Sequence, residues 1–140
     1  VTALLGDRRL SERHYGDRNF PVAANVVIWE NGLVVVDGAT GLAKSGATAV
    51  AADKCVGAAR IRADNRGGAA SAISVEAKCD TVRNYWNSGG ADAIAMVNIG
   101  ADCFIVDDQT VALTNGGGTR CRAGKVWNVT EAGVWVRFDT

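Results

Sequence analysis

Val26-Val27-Ile28-Trp29-Glu30-Asn31-Gly32-Leu33-Val34-Val35-Val36-Asp37 is the stretch on which the fold turns. Two apolar runs of strand length, rich in β-branched residues, flank an Asn-Gly pair. β-Branched side chains fit a pleated surface. Asn-Gly between such runs is a strong hairpin signal, because a type I′ turn needs positive φ at both central residues. The expectation is a β-hairpin with arms at 25–30 and 33–37. Asp37-Gly38 then opens a second turn.

Working outward, the same grammar repeats. Ser71 to Cys79 has a period of two: Ile73, Val75, Ala77 and Cys79 on one face, Ser74, Glu76 and Lys78 on the other. That is a half-buried antiparallel strand. Further strands are expected at 41–44, 56–64, 81–86, 101–106 and 110–114, with a closing hairpin of 125–129 and 134–138 around Thr130-Glu131-Ala132-Gly133. Glycine-rich turns separate them. Residues 48–53 fit either a strand or a helical turn. Ala91 to Ile99 is the best place for a short helix, since Ala and Met favour it and Gly100 can end it. About eight to ten short strands with turn chemistry between them predict an all-β protein: an antiparallel, jelly-roll-like β-sandwich over 20–140, with at most one short helix.

Composition sets outer limits. A chain of 140 residues, 48% hydrophobic, is one domain with room for a real core. Seventeen glycines against one proline, Pro21, suit a turn-rich β protein. Fifteen basic residues balance fifteen acidic ones. No basic excess is present to displace counterions, which argues against direct nucleic-acid binding. No apolar run approaches the roughly 20 residues of a membrane helix, and no signal peptide is expected in the apolar but short Val1–Leu5. The expectation is a soluble protein synthesised in the cytoplasm.

Residues 1–19 read as a separate N-terminal arm. Charge alternates densely through Asp7, Arg8, Arg9, Glu12, Arg13, His14, Asp17 and Arg18, and glycines interrupt any helical period. Such an arm either frays in solvent or orders on a neighbouring subunit, with Tyr15 and Phe20 as apolar anchors and the arginines as partners for carboxylates.

The residues that carry chemistry are sparse. His14 is the sole histidine and lies in the arm, so a Ser/His/Asp or Cys/His nucleophile system and a histidine-based metal site both lack their key group. Cys55, Cys79, Cys103 and Cys121 form no C-x-x-C pair and read as small buried hydrophobes. Asp107-Asp108 reads as a turn that bonds its own backbone. Gly116-Gly117-Gly118 lacks the G-K-[ST] of a phosphate loop and reads as a hairpin loop. Arg60, Arg62 and Arg66, with Asp64 among them, read as a solvated face. No catalytic residue, cofactor or metal ligand is expected, and the chain is read as a non-enzyme. The four tryptophans carry more information. Val134, Val136 and Phe138 facing the core would put Trp135 outside with Arg137, while Trp29 and Trp86 sit beside a turn and a loop. Tryptophan and arginine concentrate binding energy at interfaces.

Several stretches carry a family resemblance: Phe20-Pro21-Val22-Ala23-Ala24-Asn25-Val26, Gly32 to Gly38, Ile99 to Ala112, Ala123-Gly124-Lys125-Val126 and Gly133 to Phe138. Together they resemble the cement, or head-stabilising decoration, proteins of Mu-like and related tailed bacteriophages. The resemblance covers most of 20–138 and rests on packing and turn motifs. It implies a jelly-roll virion protein on the outer surface of an HK97-like shell, with the major capsid protein as partner and no enzymatic activity. It also implies a small homo-oligomer, a homodimer favoured over a trimer because local two-fold axes are common binding places on such shells. The expected contacts are Arg8, Arg9, Arg13, Tyr15 and Arg18 of the arm, with an exposed tryptophan, Trp29 or Trp135.

The alternative from another class is a carbohydrate-binding β-sandwich whose exposed tryptophans stack on sugars. Against it stand the expected lack of a secretion signal and aromatics that are spread rather than clustered.

Overall fold

The computed structural model describes residues 2–11 and 16–139. Twelve strands follow one another: β1 (Asp17–Pro21), β2 (Val27–Ile28), β3 (Leu33–Val36), β4 (Ala43–Ser45), β5 (Lys54–Ala59), β6 (Ala63–Asp64), β7 (Ser74–Lys78), β8 (Val82–Asn87), β9 (Asp102–Ile105), β10 (Thr110–Ala112), β11 (Arg122–Thr130) and β12 (Gly133–Arg137). The pairing is antiparallel throughout, except for the short parallel β8–β10 contact and a parallel bridge between Val22 and Ala43. The all-β expectation holds.

The first half of the chain forms a five-stranded sheet in the order β1-β7-β5-β3-β4, with β2 and β6 as a separate two-stranded ribbon. The central strands β3 and β5 are buried on both faces. Leu33, Val35, Cys55 and Ala58 belong to one core cluster, whereas Val34, Val56 and Ala59 belong to the other. Burial on both sides is why Leu33–Val36 reads as an unbroken apolar run instead of an alternating one. β7 alternates as expected, with Val75 and Ala77 buried. In β5 the alternation slips at a bulge opposite Val34/Val35. Gly57 sits there at φ 129°, and a Cβ on it would lie 2.2 Å from the Lys78 carbonyl oxygen. Only glycine fits.

The second half closes further than the open layer of a sandwich. β8 to β12 close on themselves as a small barrel in the order β10-β8-β12-β11-β9. Strand β11 makes the closure possible. Its register shifts twice, between Arg122 and Gly124 against β9 and between Val126 and Asn128 against β12. Bulges bend a strand and increase its twist, which a narrow barrel requires. The closing hairpin of β11 and β12 forms as expected, with Thr130 opposite Gly133. Inside, Val111, Val126, Val134 and Val136 pack with Tyr85 and Phe138, whose rings meet edge to face at 6.4 Å. The same cluster includes Leu33, Val35 and Cys55, so sheet and barrel share one core.

Three local expectations are corrected. The Asn31-Gly32 pair does form a turn, but no hairpin: β2 pairs with β6, and β3 with β4 and β5. The turn runs from Trp29 to Gly32, closed by Gly32 N–H donating to the Trp29 carbonyl at 3.0 Å, with Asn31 at φ 65°. Positive φ at the third position alone marks a type II turn, which splays its flanking chains where type I′ would pair them. The 91–99 helix is replaced by two 3-10 turns, Gly90–Asp92 and Met96–Asn98. After the first, the Asn87 side chain hydrogen-bonds both the N–H and the carbonyl of Ile94. Finally, the sheet reaches further towards the N-terminus than the 1–19 boundary allowed, since β1 pairs with β7 from Asp17 onward.

Candidate functional site

Residues 2–11 contain no strand, and every one of them is exposed. Leu4, Leu5 and Leu10 lie in solvent beside the exposed Arg8 and Arg9. An apolar segment of this kind presents a contact surface with no partner in the fold. Arg13 and Tyr15 lie outside the described residues. Arg18, by contrast, belongs to the body. Its guanidinium lies 5.4 Å over the Phe20 ring and donates to the Val56 carbonyl at 3.2 Å, which ties β1 to the sheet.

The structure brings together tryptophans that the sequence keeps apart. Trp29 and Trp86 line one groove of about 530 Å³ with Glu30, Asn31, Gly32, Asn84, Tyr85, Asp108 and Gln109. Trp135 lies opposite Asn84 in the β8–β12 register, and paired residues share a sheet face. Asn84 and Trp86, two residues apart on β8, point to that same outer side. Trp135 and Trp86 are thus diagonal neighbours, but Trp135 is half-buried, whereas Trp29 and Trp86 are exposed. Trp29 and Trp86 share one groove despite their distance in sequence. Trp86 is the residue that sequence reading undervalued. Its signal was the alternation itself: Tyr85 buried in the core turns Asn84 and Trp86 outward.

Two of the three rings have side-chain partners. Arg62 and Arg66 lie 5.9 and 5.7 Å from the Trp29 ring centroid. Asp64 in turn accepts two hydrogen bonds from the Arg66 guanidinium, at 2.9 and 2.6 Å, which holds its carboxyl down at about 2. The Trp135 Nε1–H donates to Thr130 Oγ1 at 2.9 Å. The turn under Trp29 is pinned from two sides. Tyr85 donates its hydroxyl to the Asn31 carbonyl at 3.2 Å, and the Leu33 N–H donates to the Asp108 carbonyl at 2.9 Å. Around these rings, Glu30, Asn84 and Gln109 are exposed and carry hydrogen-bonding ends.

A second groove of about 370 Å³ is lined by Cys79, Asp80, Thr81, Val82, Trp127, Arg137, Phe138 and Asp139. Trp127, the remaining tryptophan, is exposed there. The arm joins the body beside it, since Cys79 N–H donates to the Gly16 carbonyl at 3.0 Å.

No family model, curated protein or solved structure matches the chain.

The other candidate groups are used by the fold. All four cysteines are buried free thiols, and burial pushes Cys55 and Cys103 up to about 12. Among the described residues, no three His, Cys, Asp or Glu side chains gather where they could hold a metal. Asp107 accepts from the Gln109 N–H at 2.9 Å, the expected turn, while Asp108 accepts from the Ser45 hydroxyl at 3.3 Å. Gly116, Gly117 and Gly118 all have positive φ in the loop between β10 and β11, where the Asn115 carbonyl accepts from Gly118, Thr119 and Arg120; the loop closes no hairpin, since β10 pairs with β8 and β9 and β11 with β9 and β12.

Proposed function

We propose that this protein is a bacteriophage capsid cement protein, binding the outside of an HK97-like shell and stabilising contacts between capsomers without catalysis. The supporting observation is the exposed arm: three solvent-facing leucines and two arginines tethered to a well-packed body at β1. A segment that buries its leucines only on an assembled neighbour binds the assembled state selectively, and selective binding stabilises that state by linkage. Repeated over a lattice, modest contacts add by multivalency. Near-neutral net charge limits repulsion between densely placed copies.

On this reading the five-stranded sheet and the barrel are the two layers of a jelly-roll-like body, and the major capsid protein and a second copy are the partners. The body offers little free sheet edge. The barrel has none, and the chain leaving β1 bridges to β4 through Val22 and Ala43. Side chains and the arm, rather than strand addition, make the contacts. The test is co-sedimentation of the purified protein with assembled shells and, separately, with unassembled capsid protein. Binding to shells alone is the expected result; binding to neither removes the proposal.

A further inference from the structure

The groove between Trp29 and Trp86 is independent of the arm, and its chemistry points to a different ligand. We propose that the face bordered by Trp29, Trp86 and Trp135 binds a neutral oligosaccharide.

Three features carry this. The first is the combination of surfaces. Indole faces offer flat apolar platforms on which the C–H face of a pyranose ring can stack, and Glu30, Asn84 and Gln109 stand beside them. A carboxylate accepts hydrogen bonds, and each amide both donates and accepts, which matches the paired hydroxyls of a sugar. A protein partner would favour a drier, more apolar core to its interface.

The second feature is charge. An anionic ligand needs an available cation, and no Lys or Arg side chain lines the groove. Arg66 is held by Asp64, Arg83 donates to Asn31 Oδ1 at 3.1 Å, and Arg62 lies against the Trp29 ring. Glu30 and Asp108 add negative charge to the lining. The acidic lining disfavours a phosphate-like or carboxylate-like ligand, and the amide ends of Asn84 and Gln109 suit hydroxyl groups better than a cation.

The third is preorganisation. Trp135 is held by its hydrogen bond to Thr130, so stacking there costs little side-chain entropy, while Arg62 and Arg66 lie over the Trp29 ring. The groove volume of about 530 Å³ is that of a small-ligand site. The register extends the platform from Trp86 to Trp135 along the barrel wall, which suits a linear chain of several rings.

This inference does not rest on the capsid reading, and its test leaves the arm intact. The intact protein is titrated with cellohexaose, maltohexaose and chitohexaose, with tryptophan fluorescence as the readout. The expected result is a saturable change with at least one of the three below about 10 mM. Trp86→Ala and Gln109→Ala are then expected to weaken that binding by about tenfold or more, and Trp127→Ala, in the other groove, to leave it unchanged. Both Trp86 and Gln109 are exposed, and a thermal melt confirms that each variant is folded. No saturable change with any of the three sugars, or equal binding by folded Trp86→Ala and Gln109→Ala, overturns the proposal.

Discussion

Tyr85 in the barrel donates its hydroxyl to the carbonyl oxygen of Asn31, 3.2 Å away in the turn that leads into the sheet. The bond joins the two halves of the chain directly beneath the groove. Burial of Tyr85 pushes its phenol well above the usual tyrosine range, so the bond persists at alkaline pH. Tyr85→Phe keeps the ring and removes the hydroxyl. It is expected to cost about 1 kcal/mol in urea unfolding, the net worth of one hydrogen bond. A variant as stable as the parent would show that the Asn31 carbonyl finds another partner.

Asp53 is the most consequential carboxylate in the body. Its side chain is 2% exposed and lies 3.0 Å from Lys44 Nζ. It also accepts from the Gly38 N–H at 3.1 Å and the Val50 N–H at 2.9 Å. Asp53→Ala leaves two backbone amides without their acceptor and takes one of two carboxylates from Lys44, which keeps Asp37 at 3.2 Å. The expected loss is about 3 kcal/mol, read as a shift in the denaturation midpoint. A loss under about 1 kcal/mol would mean that water takes over at the two amides.

Acid should unfold the protein late. Backbone and Lys44 hydrogen bonds hold Asp37 down at about 2, and Arg66 does the same for Asp64; ordinary carboxyls sit at 3.8. A folded-state value below the unfolded one contributes stability that is present above the unfolded value and disappears as pH falls through the folded one. The urea midpoint is therefore expected to hold from neutrality to about pH 4 and to fall between about 4 and 2. An onset of decline near pH 6 would contradict this assignment.

The thiols should be silent in the native state. All four are buried, and desolvation raises Cys55, Cys103 and Cys121. The thiolate is the reactive form. Labelling with a thiol reagent at pH 8 is expected to be negligible until denaturant is added, when all four cysteines react. Rapid native labelling of even one would locate a local opening of the shared core.

The legible and illegible parts of this fold separate along physical lines. Where one face of a strand is buried and the other wet, as in β7 and β12, the alternation of Val75 and Ala77, or of Val134 and Val136, announced both strand and facing. Trp135 fell on the outer face for the same reason. Asn31-Gly32 announced a turn but misled about pairing, because the turn type depends on anchors at Tyr85 and Asp108, far along the chain. The barrel was illegible because closure depends on bulges around Gly124 and Val126, which leave no local pattern. The groove was illegible for a related reason: Trp29 and Trp86 meet only once sheet and barrel have docked.

The capsid account is tested most directly by deleting residues 1–11, which removes the exposed leucines and Arg8 and Arg9 while leaving β1 intact from Asp17. The full chain and the truncated chain are sedimented with assembled shells of the major capsid protein encoded with it, after a thermal melt has shown both to be folded. The account predicts that the full chain pellets with shells and the truncated chain stays in the supernatant. Equal pelleting of the two would contradict it and move the contact from the arm to the body.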